Sequence, residues 1–143
     1  MCTSDNMRIY DIGLVQEAIN YIHPEGVDIS AEEWLDTPTN IALINDSEDL
    51  ALFEIGFNDV YTGHYYFKSR GRKAIEAAKG FLDELFNTCY NINVILGLTP
   101  ITNLPARWLS RQVGFKSHGV VQGPKRHYEM FIITKREFNG RIS

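Results

Sequence analysis

The chain has 143 residues, 44% hydrophobic and 22% charged, with 11 Gly and 5 Pro, a profile of one globular domain over residues 1–143 rather than a fibrous or low-complexity chain. Cys2 and Cys89 form no CxxC pair and no metal-spaced set with His, and no apolar run approaches the ~18 residues of a membrane span, so a cytoplasmic protein with reduced thiols, no metal and no membrane is expected. The net charge of −4 hides a split, −12 over residues 1–60 and +8 over residues 61–143, which turns the second half toward an anion; because its basic residues are dispersed, a phosphorylated small molecule suits better than nucleic acid.

Met7–Tyr10 reads as a short strand. Leu14, Val15, Ala18, Ile19 and Ile22 then recur on one helical face, and His23-Pro24-Glu25-Gly26 stops that helix. Ser30-Ala31-Glu32-Glu33 has the capping-box pattern of a second, short helix carrying Trp34 and Leu35 before Pro38. Three strands are predicted next, at Ile41–Ile44, Leu50–Phe57 and Val60–Phe67, joined by the polar turn Asn45–Asp49 and the Asn58-Asp59 turn. The period changes after Phe67: Ala74, Ile75, Ala78, Phe81, Leu82, Leu85 and Phe86 mark a helix of about four turns that starts in Lys68–Lys73. A strand over Ile92–Leu98 follows, then a helix capped by Asn103, with Pro105 in its first turn and Gly114 as its stop. Phe115–Val121 and His127–Thr134 flank Gly123-Pro124 as closing strands. The class is α+β (α/β): a mixed sheet of seven strands in which the strand-helix-strand crossovers of the second half imply parallel pairing.

Two local patterns bear on chemistry. Asn103-Leu104-Pro105-Ala106 through Val113-Gly114-Phe115 resembles the segment N-x-x-A, seven residues, G-F of the GNAT superfamily of acyl-CoA-dependent N-acetyltransferases. The element order is similar to that of the superfamily over essentially the whole chain. Without the resemblance, the same residues read as a capped helix with a glycine stop. Arg70-Gly71-Arg72-Lys73-Ala74 resembles in part the superfamily's pyrophosphate loop R-G-x-G-x-G, whose second and third glycines fall here on Lys73 and Ile75. Loops with Arg-Gly-Arg are similar to those of some phage-encoded members, for which the location would be host cytoplasm. Cations at a helix N-terminus oppose the macrodipole, so their presence there favours an anionic ligand on the free N–H groups over a merely solvated helix start.

The resemblance implies acetyl-CoA as co-substrate and an amine, small molecule or peptide, as acceptor. It places the pantetheine arm along the strand holding Tyr65, Tyr66 and Phe67, the diphosphate on Arg70, Gly71, Arg72, Lys73 and Ala74, and further cofactor contacts at Asn103 and Ala106. Direct transfer needs a base, for which His64 and Glu54 are candidates, Glu54 with a raised pKa if it is buried. A structural strand histidine is the competing reading of His64. The superfamily's thiolate-donating tyrosine, seven residues after the Asn, falls on Ser110, whose hydroxyl is shorter and less acidic. Carboxylates Glu32, Glu33 and Asp36 would line the acceptor side or form an exposed helix face. His23, His118 and His127 read as surface or loop histidines. A catalytically silent acyl-CoA-binding or regulatory module is the main alternative, and a nucleic-acid-binding domain a further one.

Overall fold

The computed structural model describes residues 7–23, 28–88 and 90–142. Cys2, Cys89 and the Pro24-Glu25-Gly26 helix stop lie outside the described residues. In chain order the elements are helices α1 (Ile12–Ile22) and α2 (Ala31–Asp36), strands β1 (Ile41–Ile44), β2 (Leu50–Ile55) and β3 (Tyr61–Tyr66), α3 (Arg72–Asn87), β4 (Val94–Pro100), α4 (Leu104–Val113), β5 (Lys116–Gln122), β6 (His127–Thr134) and α5 (Lys135–Ile142).

The described strands form one six-stranded mixed sheet in the order β1-β2-β3-β4-β6-β5. Only β3 and β4 are parallel neighbours, joined by the α3 crossover. The second crossover, β4-α4-β5, does not make a parallel pair as expected, because β6 inserts between the two strands and pairs antiparallel with both. The expected first strand at Met7–Tyr10 is reduced to a bridge between Arg8 and Leu43. Main-chain bonds hold the bridge, from the Ile9 N–H to the Ala42 carbonyl at 3.0 Å and from the Ile44 N–H to the Met7 carbonyl at 2.8 Å, and the chain then turns into the Asp11 cap of α1, while the Arg8 guanidinium donates to the carbonyls of Asn40 at 3.0 Å and Pro38 at 3.3 Å. Among the described residues the sheet therefore has six strands, not seven. The helix α5 was not foreseen. Thr134 and Glu137 close a capping box there, each accepting the other's backbone N–H at 3.1 Å.

Alternation along the strands buries two layers. On one face Leu50 and Leu52 pack with Val15, Ala18 and Ile19 of α1 and Trp34 of α2. On the other, Ala51, Phe53 and Ile95 pack under Phe81, Leu82, Leu85 and Phe86 of α3, with Val113 of α4 and Phe138 of α5. The α4 caps are those predicted: Asn103 accepts from the Ala106 N–H at 3.2 Å, and Gly114 closes the helix in the left-handed region at φ 114°.

One buried charge ties α4 to the sheet. Glu129 on β6 is 4% exposed and accepts from Arg107 Nε at 2.7 Å and from Arg111. Arg111 also lies over the Phe131 ring, 5.1 Å from its centroid. Burial pushes the Glu129 carboxyl up, but hydrogen bonds from Ser117 and Arg107 and the charges of Arg111 and Arg107 outweigh it and hold it below the usual carboxylate range. A lowered folded pKa contributes stability above the unfolded value and loses it as pH falls through the folded one. Glu129→Gln is expected to cost about 1–3 kcal/mol at neutral pH. The gap between variant and wild type should close as pH falls below the carboxylate range, read by denaturant unfolding at successive pH values; a pH-independent gap would contradict this assignment.

Candidate active site

β3 runs its full length against β2, from Ile55 opposite Tyr61 to Leu50 opposite Tyr66, and β4 runs its full length against β6, from Val94 opposite Thr134 to Pro100 opposite Tyr128. Between β3 and β4 the ladder has two pairs, Tyr61 with Ile95 and Thr62 with Leu96. Beyond them the strands part. Residues 63–66 and 97–100 face each other along edges with no strand partner, and a cleft of about 500 Å³ opens there.

The cleft draws on both layers. Gly63, His64 and Tyr65 of β3, Ile95–Pro100 of β4, and Asn103, Ala106 and Ser110 of α4 line it together with Tyr21, Ile22 and His23 at the end of α1. Gly63 sits at the point of parting because a Cβ there would stand 2.8 Å from the Phe53 ring, which is fully buried. With glycine the ring closes over the main chain, and β3 keeps its place beside β2.

His64 and Glu54 share the α1/α2 face: Glu54 is opposite Thr62, one step diagonally from His64. His64 Nε2 is 3.6 Å from Glu54 Oε1. Trp34 is near enough to Glu54 to help lower its pKa, and the His23 and His64 rings stand edge to face at 6.1 Å. The expected raised Glu54 pKa is not found. The close approach of His64 lowers it and, with smaller contributions from Trp34 and His23, outweighs the upward push of burial on a carboxylate 42% exposed. His23, read as a loop histidine, is a cleft residue; 41 positions from His64, no spacing rule could have joined them.

The other expected residues divide. Ser110 is buried and lines the cleft. Tyr65 stacks on Phe67 at 4.9 Å, and Phe67 meets Phe81 at 5.8 Å, so both belong to the α3 layer. The Tyr65 hydroxyl is buried without a hydrogen-bond partner among the described residues, and burial pushes its pKa up, keeping the phenol protonated. Tyr66 points to the opposite layer, donating to Glu17 at 2.6 Å against the Tyr21 ring. Tyr66, Phe67 and Arg70–Ala74 do not line the cleft itself; they continue from its β3 wall. Gly71 caps α3 at φ 58° with no side-chain cap, leaving the first-turn amides of Arg72, Lys73 and Ala74 uncapped. Ala74 is buried and Arg72 and Lys73 are exposed. Arg70 is turned back on its own loop, donating to the carbonyls of Phe67 at 2.7 Å and Ser69 at 2.9 Å. Glu32, Glu33 and Asp36 lie on exposed or half-exposed positions of α2 outside the cleft, whose lining contains no carboxylate among the described residues. Also among the described residues, no group of three His, Cys, Asp or Glu side chains could hold a metal ion, and no helix is long and apolar enough to cross a membrane.

No protein-family model matches the sequence, and no curated protein does. Solved structures match along the whole fold. A point mutant of the spermidine N-acetyltransferase SpeG from Vibrio cholerae has a TM-score of 0.70 at 14% identity, covering 96% of each chain. The aminoglycoside acetyltransferase AAC(6')-Ib in complex with coenzyme A has 0.67 at 17%, covering 94% of this chain and 95% of its own. A GNAT-family acetyltransferase from Bacillus anthracis has 0.59 at 18%, covering 90% and 85%. The chain has the fold of the GNAT acetyltransferases.

The pairing of His64 with Glu54 is open to direct titration. In His64→Gln, Glu54 should titrate higher than in the wild type, toward the ordinary carboxylate value, by NMR of its side-chain carboxyl; an unmoved Glu54 would mean that the two groups are not coupled.

Proposed function

We propose that the chain is a single N-acyltransferase domain that transfers an acetyl group from acetyl-CoA directly to an amine acceptor. The facing, unpaired edges at residues 63–66 and 97–100 carry this reading. Buried main-chain donors and acceptors need partners. A narrow ligand with amides along its length, as a pantetheine arm is, supplies them in the manner of an added strand. Two of the structural relatives are acetyltransferases of an aminoglycoside and of spermidine, one in complex with coenzyme A, which supports this donor and a small-molecule amine acceptor.

Acetyl-CoA, when bound, supplies an activated thioester carbonyl. Main-chain N–H groups at the parted edges polarise that carbonyl, a contribution worth ~2.7–4 kcal/mol per donor in comparable sites. His64, entered from the α1 side of the cleft, takes the proton from the attacking ammonium, and Glu54 orients the ring from behind. The uncapped first-turn amides of α3 with Arg72 and Lys73 hold the phosphates, and Tyr65, Tyr66, Phe67, Asn103 and Ala106 wall the route between them and the carbonyl. Ser110 faces the departing thiolate. Since a thiol has a pKa near 8.5, the leaving group needs little acid help, and Ser110→Ala should be nearly neutral. A binding module without turnover is the second reading, favoured by the serine in place of a more acidic tyrosine.

Release of free CoA thiol with a panel of amines separates the two. His64→Gln should lower kcat by about 10²–10⁴ while the Kd for CoA stays put. Equal activity in the variant would remove His64 from the base role. CoA at a hundredfold excess over Kd should stabilise the fold by about 2.7 kcal/mol in thermal melts. Replacing Arg72 and Lys73 by Glu should abolish that shift and leave the ligand-free melt nearly intact, since both side chains are exposed. An unmoved melt of the ligand-free wild type at millimolar CoA would defeat the donor assignment.

A further inference from the structure

Asp49 is fully buried, and the mechanism above does not use it. It stands at the end of the β1–β2 turn and reaches across to the segment between β3 and α3. Its Oδ1 accepts from the backbone N–H groups of Lys68 and Ser69, both at 2.8 Å, and its Oδ2 accepts from the Ser69 hydroxyl at 2.7 Å and from Asn45 Nδ2 at 3.1 Å. Asn45 fixes the turn in its own right, its Oδ1 accepting from the N–H groups of Ser47 at 3.0 Å and Asp49 at 2.9 Å. Outside these bonds, Lys68 Nζ meets Glu48 Oε1 at 3.4 Å. Burial pushes the Asp49 carboxyl up, and the bonds from Ser69, Asn45 and Lys68 outweigh it, so the group is an anion.

A buried anion is costly to keep, and three of the four bonds that satisfy this one come from a single neighbouring loop, which they fix. Satisfying Asp49 uses the N–H groups of Lys68 and Ser69, so an external anion is left the amides that follow them, into the uncapped first turn of α3. We propose that Asp49 is a positioning residue for the nucleotide end of the donor: it fixes residues 68–69 so that the uncapped amides and exposed cations at the start of α3 stand ready for the diphosphate. This rests on the acetyl-CoA reading. Without the anchor, the loop is ordered only on binding, and the ordering cost appears as lost affinity for ligands that reach it. A thioester that ends at the pantetheine does not reach it.

The test compares acetyl-CoA with S-acetylpantetheine, which lacks the nucleotide and diphosphate, as donors for the full chain. Asp49→Ala should raise KM for acetyl-CoA about tenfold or more with kcat nearly unchanged, and leave kcat/KM for S-acetylpantetheine as in wild type. Asp49→Asn keeps an oxygen for the two backbone donors and should recover part of the loss. Ser69→Ala removes one bond and leaves the carboxylate in place, so it gives the same pattern at smaller size even where Asp49→Ala does not fold. Equal losses with both donors in Ser69→Ala and Asp49→Asn would make the anchor a general structural element and overturn the proposal; so would no loss with either. If the wild type binds CoA without turnover, the same comparison is made in Kd for CoA and pantetheine. A wild type that binds neither overturns the acetyl-CoA reading and this proposal with it.

Discussion

A main-chain amide or carbonyl that loses its ladder partner inside a protein has to be satisfied some other way, and in this chain two strands lose theirs together. β3 is held by β2 and β4 by β6 along their whole lengths, yet the two touch through two residue pairs. Each strand is secure on its far side, so parting costs only the facing edges. On the function proposed above, those edges accept a slender chain with its own amides, lying where the missing ladder would have been. The requirement falls on backbone rather than side chains, and the same fold occurs in structures only 14–18% identical to this chain.

The parted strands also join two chemical environments. Residues from α1 and from α4, in opposite layers, line the same cleft, so it passes from one face of the sheet to the other. The His64–Glu54 pair belongs to the α1/α2 layer, while Ser110 and the start of α3 belong to the other, so the proposed proton acceptor stands apart from the groups proposed for phosphate. The charge split of the sequence follows the same division, with Arg70, Arg72 and Lys73 gathered at the loop that opens α3. Asp49, a carboxylate of the acidic half, crosses to that loop and accepts three of its hydrogen bonds.

Local signals were legible where their physics is local. Asn103, Pro105 and Gly114 bound α4 as read, and the apolar spacing of Ala74 to Phe86 marks the buried face of α3. The Thr134 to Glu137 capping box was present in the sequence, but with Phe138 the one buried hydrophobic of α5 among the described side chains, periodicity gave it no support. The segment Met7–Tyr10 makes only a bridge to β1, since the chain turns at Asp11 into the cap of α1. Long-range polar pairs were invisible for a plainer reason. His23 with His64, Asp49 with Ser69 and Glu129 with Arg107 are each 20 or more positions apart, and nothing in composition or spacing selects one partner over another.

Backbone amide NMR during a titration with CoA tests the role of the parted strands most directly. If the donor's arm lies between them, the amide shifts should concentrate at residues 63–66 and 97–100 and at the first turn of α3, with β1 and β5, remote in the strand order, nearly silent. Shifts confined to other surfaces, with both parted edges unmoved at saturation, would contradict the account.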